Sequence, residues 1–278
     1  GMTKFDRHPD KTGRDLTIEA VEETVKSVDN GFDLKEDVDA AYVGYFSPDF
    51  FEHQSHYGPL VTDLLGLTPK PGWRTESACA SSSAAILSGY TAIKSGMFDV
   101  VLVGGIEKMT DLSTAESTEA LSLAADGLYE LPAGITFPGL FALIAQAYFK
   151  KYDEDWERLP SIPIKSHHNG SLNPKAQYQD EILKIGNKMG KKKDMSFDEP
   201  LEFLKSPVNP PIAHPMKLFD CSPISDGASF TILASEEVAK EYTDTPIKIA
   251  GVGNGTETLA LSDRNDMTKS RATIKAAE

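Results

Sequence analysis

Along the chain, apolar positions recur first at helix spacing and then at strand spacing. Ile18, Val21, Val25 and Val28 fall three and four residues apart and predict an amphipathic helix over 15–28, with Gly31 as its stop. Residues 38–46 (VDAAYVGYF) are β-rich and run into a polar, aromatic loop that holds His53 and His56. A short helix is expected over 60–65, closed by Gly66. Residues 73–77 read as extended, and a helix of small and aliphatic residues follows over 80–94, ended by Gly96. The run 99–105 (DVVLVGG) has the continuous apolar character of a buried parallel strand. Strand, helix and strand in this order indicate an α/β fold with right-handed crossovers. The first five residues read as a loop.

The pattern changes after Met109. Residues 110–215 are richer in proline, polar residues and charge, and show one clear helix over 138–152. Pro138 sits near its start, and Leu140, Phe141, Ile144, Ala147 and Tyr148 make its apolar face. α/β patterning returns with a strand over 229–234, a helix over 235–241, a strand over 247–252 and a helix from Met267 to the last residue. The expected organisation is an N-terminal domain made of 1–109 and 216–245, a loop domain inserted over 110–215, and the start of a further domain over 246–278.

Composition narrows the function class. The chain has 278 residues, 40% apolar and 25% charged, as soluble globular proteins do. A formal net charge of -14 argues against general nucleic-acid binding, which needs cations on phosphates. No apolar run approaches membrane-spanning length. Two cysteines make no disulfide framework, and a reducing, cytoplasmic compartment is expected.

Cys79 carries the strongest chemical signal. It lies where the extended segment 73–77 meets a helix start, where unpaired backbone N–H groups favour a thiolate and can cradle an oxyanion. Ala78, Ala80 and Ser81 to Ser83 leave room for an acyl group. The competing reading is a buried structural cysteine, since free cysteines are among the most buried residues. Cys221 receives that structural reading. Gly104 and Gly105 form no phosphate-binding motif and are expected in a tight turn that brings backbone close to the Cys79 loop. His167 and His168 lack partners at metal-ligand spacing and read as a solvated or structural loop, so no metal site is expected. Lys191 to Lys193 read as a solvated basic loop. His214, in Ala-His-Pro, is a possible base for Cys79 by residue type.

Five stretches in order resemble the thiolase family: 76–81 (ESACAS), 104–109 (GGIEKM), 135–139 (ITFPG), 169–174 (NGSLNP) and 220–228 (DCSPISDGA). The likeness covers essentially the whole chain and is strongest to the branch of archaeal acetyl-CoA acetyltransferases and sterol-carrier-protein-linked thiolases. It implies an αβαβα layered fold of two similar halves, with the first half complete except for its first strand and the second half truncated. Cys79 falls on the family's acyl-accepting nucleophile, and Ser222 on a position that touches the pantetheine arm of coenzyme A. Coenzyme A is then a substrate, with no resident cofactor. Residues 73–77 would lie at a twofold contact, so a homodimer or tetramer is expected. His214 matches the family's Gly-His-Pro loop in letters only, because it precedes the 220–228 motif.

The implied activity is acyl transfer through an acyl-cysteine, making or cleaving 3-ketoacyl-CoA. The family's C-terminal catalytic loops find no match here, so little turnover is expected of this chain alone. The rival readings are a related ketoacyl synthase, or a non-catalytic thiolase-like scaffold that binds lipid or acyl-CoA.

Overall fold

The computed structural model describes residues 1–278. Twelve α-helices and six strands follow in chain order: α1 (Gly13–Lys26), α2 (Leu34–Asp37), β1 (Ala40–Gly44), α3 (Pro48–Phe51), α4 (Tyr57–Leu64), β2 (Gly72–Thr75), α5 (Ser81–Lys94), β3 (Val100–Glu107) and α6 (Thr114–Ser122). Then come α7 (Phe137–Tyr152), α8 (Ser161–Ser171), α9 (Ile182–Gly190), α10 (Pro200–Lys205), β4 (Pro211–Ala213), β5 (Met216–Lys217), β6 (Gly227–Ala234), α11 (Glu236–Tyr242) and α12 (Arg271–Ala277). Two compact units result, one of residues 1–120 and 224–252, the other of 121–223 and 253–278.

The first unit is built on a sheet of order β2-β1-β3-β6. β1 runs parallel to β2 and β3, whereas β6 is antiparallel to β3. The apolar run of β3 therefore sits in a mixed sheet, not a wholly parallel one. It is apolar throughout because both its faces are covered. Val100, Leu102 and Ile106 join Leu16 and Ala20 of α1 and Val61 of α4 in one core. Val101 and Val103, on the other face, pack with Ala40 and with Ile93 of α5. α1 is set by a Thr12–Asp15 capping box and ends at Lys26 with Ser27 as its C-cap, ahead of the expected stop at Gly31.

The N-terminal residues are not the expected loop. Met2 and Asp6 form antiparallel bridges to Ser229 and Asp226, and the Thr3 N–H donates to the Ala228 carbonyl at 3.0 Å. They cover the edge of β6 that would otherwise expose unpaired backbone groups.

The second unit holds more helix than its composition suggests. Four helices, α7 to α10, occupy 137–205 where only one was legible. Ile182, Phe197, Phe203, Leu204 and Val208 make its core. The segment 253–278 is tied to it by the Leu261 N–H on Glu130 Oε1 (2.7 Å) and by a Lys151–Asp266 ion pair (2.8 Å). The expected strand over 247–252 is absent: these residues form no regular structure and Ile247 is 97% exposed. A β-prone run becomes a strand only where a neighbour accepts its hydrogen bonds, and none of the six strands pairs with it. The final helix is also shorter than expected, beginning at Arg271.

Candidate active site

β1, β2 and β3 are parallel, so Gly44, Thr75 and Glu107 end at one edge of the sheet. That edge, the carboxyl end of the strands, is where α/β folds build sites. Cys79 is set there by a sharp connection. β2 ends at Thr75, Ala78 takes a left-handed backbone (φ +47°), and a single 3₁₀ turn, Ala78–Ala80, leads into α5. The Ala78 N–H donates to Glu76 Oε1 at 2.5 Å and the Ala80 N–H to the Ser77 carbonyl at 2.9 Å. The Cys79 side chain is exposed and its thiol is free.

Directly after this turn, the first turn of α5 rests on glycine. A Cβ on Gly44 would stand 2.4 Å from the Ser82 nitrogen, and one on Gly105 would stand 2.1 Å from Ser82 Oγ. Both glycines lie within strands, so the expected tight turn at Gly104 and Gly105 is not there. Nor is the close approach one to the Cys79 loop: Gly105 comes close to Ser82 on the first turn of α5, and Gly104 to Ser229 and Phe230 of β6.

The helix itself is not buried all round, contrary to its composition. Ser81, Ala85, Gly89 and Ala92 face the sheet, while Ser82, Ser83 and Ile86 are exposed. Small residues suit it to a close seat on β1 and β3 on one side only.

Two buried carboxylates brace the same edge. By strand alternation Glu107 shares the α5 face of β3 with Val101, Val103 and Gly105. Its Oε1 accepts the Phe46 N–H at 2.7 Å, and its Oε2 is buried with no hydrogen-bond donor. Burial pushes its carboxyl up to about 7, against the pull of that N–H and of Arg74, with Glu52 adding to the rise. Arg74 is committed elsewhere: its guanidinium donates to the carbonyls of Tyr45 (3.0 Å) and Phe46 (2.7 Å) and pairs with Asp49 (2.7 Å).

Asp226 is fully buried and pairs with Lys108 Nζ at 2.9 Å, itself only 1% exposed. It also accepts the N–H groups of His8 (3.0 Å), Met109 (2.8 Å) and Thr110 (2.8 Å) and the Thr110 hydroxyl (2.6 Å). Burial alone would raise its carboxyl; these bonds outweigh it and hold it below the usual carboxylate range. Both carboxylates fall in stretches quoted for the family resemblance, 104–109 and 220–228, but neither was given a role of its own. The signal available was a charged pair, Glu107-Lys108, directly after a wholly apolar strand.

The remaining candidates belong to the second unit. Ser222 is exposed, in a segment of the second unit without regular structure. Cys221 is half-buried, its Sγ 3.6 Å from the Lys217 carbonyl, and burial beside Asp220 pushes its thiol up. His167 and His168 are not in a loop or strand but on α8, where His167 stacks on Tyr178 and His168 Nδ1 lies 3.1 Å from Glu181. His214 sits in the turn between β4 and β5, its carbonyl accepting from Gln146 at 2.7 Å. No helix is long and apolar enough to cross a membrane.

Residues 1–237 match the family model for the thiolase N-terminal domain. The chain belongs to the thiolase family. An acetyl-CoA acetyltransferase of Methanothermobacter thermautotrophicus is 38% identical over 276 residues, covering 99% of this chain and 66% of that protein. Rabbit (Oryctolagus cuniculus) sterol carrier protein 2 is 30% identical over 249 residues, covering 87% of this chain and 41% of its own length. This thiolase chain therefore spans less than two thirds of either relative. A thiolase from Ascaris suum, solved in complex with coenzyme A, superposes with a TM-score of 0.60 at 19% identity, covering 92% of this chain and 70% of that one. That likeness establishes a thiolase-like α/β fold.

Proposed function

We propose that Cys79 is the acyl-accepting nucleophile of a thiolase-type acyltransferase. The observation that carries this reading is an exposed, free thiol directly after the left-handed Ala78, at the carboxyl edge of the sheet, leading into a helix whose first turn sits close on Gly44 and Gly105. The Cys79 thiolate attacks the carbonyl carbon of an acyl-CoA thioester; the carbon–sulfur bond to coenzyme A breaks, and the departing thiolate takes up a proton. The acyl group then passes from sulfur to a second acceptor, making a 3-ketoacyl-CoA in one direction and cleaving it in the other. Coenzyme A enters as substrate, with Ser222 against its pantetheine arm, and no resident cofactor or metal takes part.

The division into 1–109 with 216–245, an inserted 110–215 and a further domain from 246 is part of the same proposal. So is a homodimer or tetramer in the cytoplasm, joined through the exposed edge strand β2, on which Trp73 is 43% exposed. Carbon–carbon chemistry also needs a base for the α-proton, and Cys79 makes no hydrogen bond to a histidine; the chain alone is expected to load an acyl group without sustained turnover. The same observation favours, as a second reading, a thiolase-like scaffold that binds acyl-CoA without transferring it.

Incubation with acetyl-CoA followed by intact mass and peptide mapping separates the two. Acetyl on Cys79, absent from Cys79→Ala, supports acyl transfer; an unmodified Cys79 with measurable acyl-CoA binding favours the scaffold. Robust thiolysis of acetoacetyl-CoA by this chain, abolished in Cys79→Ala, would refute the expected lack of turnover.

A further inference from the structure

Three serines follow Cys79, and the sequence does not tell them apart. The fold does. Ser82 and Ser83 are exposed, whereas Ser81 is 4% exposed and its hydroxyl faces back into the turn that carries Cys79. It accepts the Ser77 N–H at 3.0 Å and donates to the Ala78 carbonyl at 2.7 Å, so one hydroxyl closes the backbone from 77 to 81 around the cysteine. The Ser81 N–H donates to the same Ala78 carbonyl. From the strand side, the Thr75 hydroxyl donates to the Ser81 carbonyl at 3.0 Å. A non-glycine residue stays at positive φ only where its surroundings over-determine it. At Ala78 those surroundings are the Ser81 hydroxyl and the Glu76 carboxylate.

We infer that Ser81 is a positioning residue for Cys79: its buried hydroxyl, braced by Thr75, fixes where the sulfur stands for acyl transfer. This rests on the reading of Cys79 as acyl acceptor. Thioester attack demands a set approach of sulfur to the carbonyl carbon, while alkylation by a small halide tolerates a wandering thiol. Loss of the hydroxyl should therefore separate the two reactions.

The test uses the full chain, acetyl-CoA and iodoacetamide, with Cys79 modification followed by mass spectrometry and folding by circular dichroism. Ser81→Ala is expected to slow acetyl-Cys79 formation by on the order of 10- to 100-fold while changing alkylation by less than about threefold, as misplacement of a reacting group by an ångström would. Ser81→Thr, which keeps the hydroxyl, should recover most of the rate, and Ser83→Ala should match the unsubstituted chain. Equal acetylation in Ser81→Ala and the unsubstituted chain overturns the inference. So does a common loss of acetylation and alkylation, the mark of a disordered segment. Should Ser81→Ala fail to fold, Thr75→Val decides: a selective loss of acetylation supports the inference and an unchanged rate overturns it. No acetyl on the unsubstituted chain overturns the acyl-acceptor reading itself, and the inference falls with it.

Discussion

Glu107→Gln is expected to stabilise the first unit at neutral and alkaline pH. The carboxyl is buried at the end of β3, accepts one hydrogen bond from the Phe46 N–H, and leaves its second oxygen without a donor. Burial is the main cause of a rise from 4.5 to about 7. A carboxyl whose native value lies above its unfolded value binds its proton more tightly when folded. Its contribution is therefore full below about 4.5, declines as the pH climbs, and is lost above about 7. At about 1.36 kcal/mol per pH unit, the difference between 4.5 and about 7 is worth about 3 kcal/mol. That is a sizeable part of a total stability of about 5–15 kcal/mol. Glutamine keeps the acceptor for Phe46 and removes the charge. The assay is urea unfolding at pH 5, 6, 7, 8 and 9 in a Trp156→Phe background, so that Trp73, stacked on Tyr42 at 5.0 Å, reports the first unit alone. With a denaturant slope of about 3 kcal/mol per M, the midpoint of Glu107→Gln should exceed the parent's by about 1 M at pH 9. The gap should narrow steadily toward pH 5. Parallel curves for the two proteins, with a constant gap or none, would sink the reasoning, because the burial cost would then not be electrostatic.

Other expectations follow from the same packing. Lys108→Met leaves Asp226 buried without its cation and should cost about 3–5 kcal/mol by urea unfolding. The same Asp226 carboxylate, held below its usual range, should make the parent lose stability as the pH falls below about 4, a loss that Asp226→Asn blunts when melting is followed from pH 5 to pH 2. Gly105→Ala drives a methyl against Ser82 Oγ and the Gly44 carbonyl, at 2.1 and 2.5 Å; a cost of about 1–3 kcal/mol is expected, with slower acetylation of Cys79 by mass spectrometry. Phe203→Ala, in the core of the second unit, should cost about 3–5 kcal/mol as read by Trp156 fluorescence, and leave the transition reported by Trp73 in place.

What could be read from the sequence divides by the range of the interactions involved. α1, α5, β1, β3 and β6 were legible because each carries its signal in its own apolar spacing over five or more residues, and packing only reinforces it. The helices between 137 and 205 were mostly missed although some signals were local. Glu199 and Glu202 make a capping box for Pro200–Lys205, and Ile182, Ile185 and Met189 recur at three and four in α9. Proline, lysine and glycine between them masked the periodicity. Residues 247–252 failed in the opposite sense: Ile247, Ile249 and Val252 have the composition of a strand, but pairing is non-local and no strand receives them.

The site divides in the same way. Cys79 and its small neighbours could be found because a thiol at a strand-to-helix junction is a contiguous feature. The groups that hold that edge together are not contiguous. Asp226 is bound by His8, Lys108 and Thr110, which lie 218, 118 and 116 residues away, and Glu107 meets Phe46 across 61. A charge in sequence is ordinarily a solvated charge, and only the meeting of three segments makes these two buried. Ser81 lies between the extremes: it sits two residues from Cys79, yet its burial beneath the turn, and not its identity, separates it from Ser82 and Ser83. The exposed thiol was thus a local property of the chain, and its support was a property of the fold. Substitutions at Lys108 and Asp226 should accordingly act on stability first and reach Cys79 chemistry only through it, whereas Ser81→Ala should act on the chemistry with the fold intact.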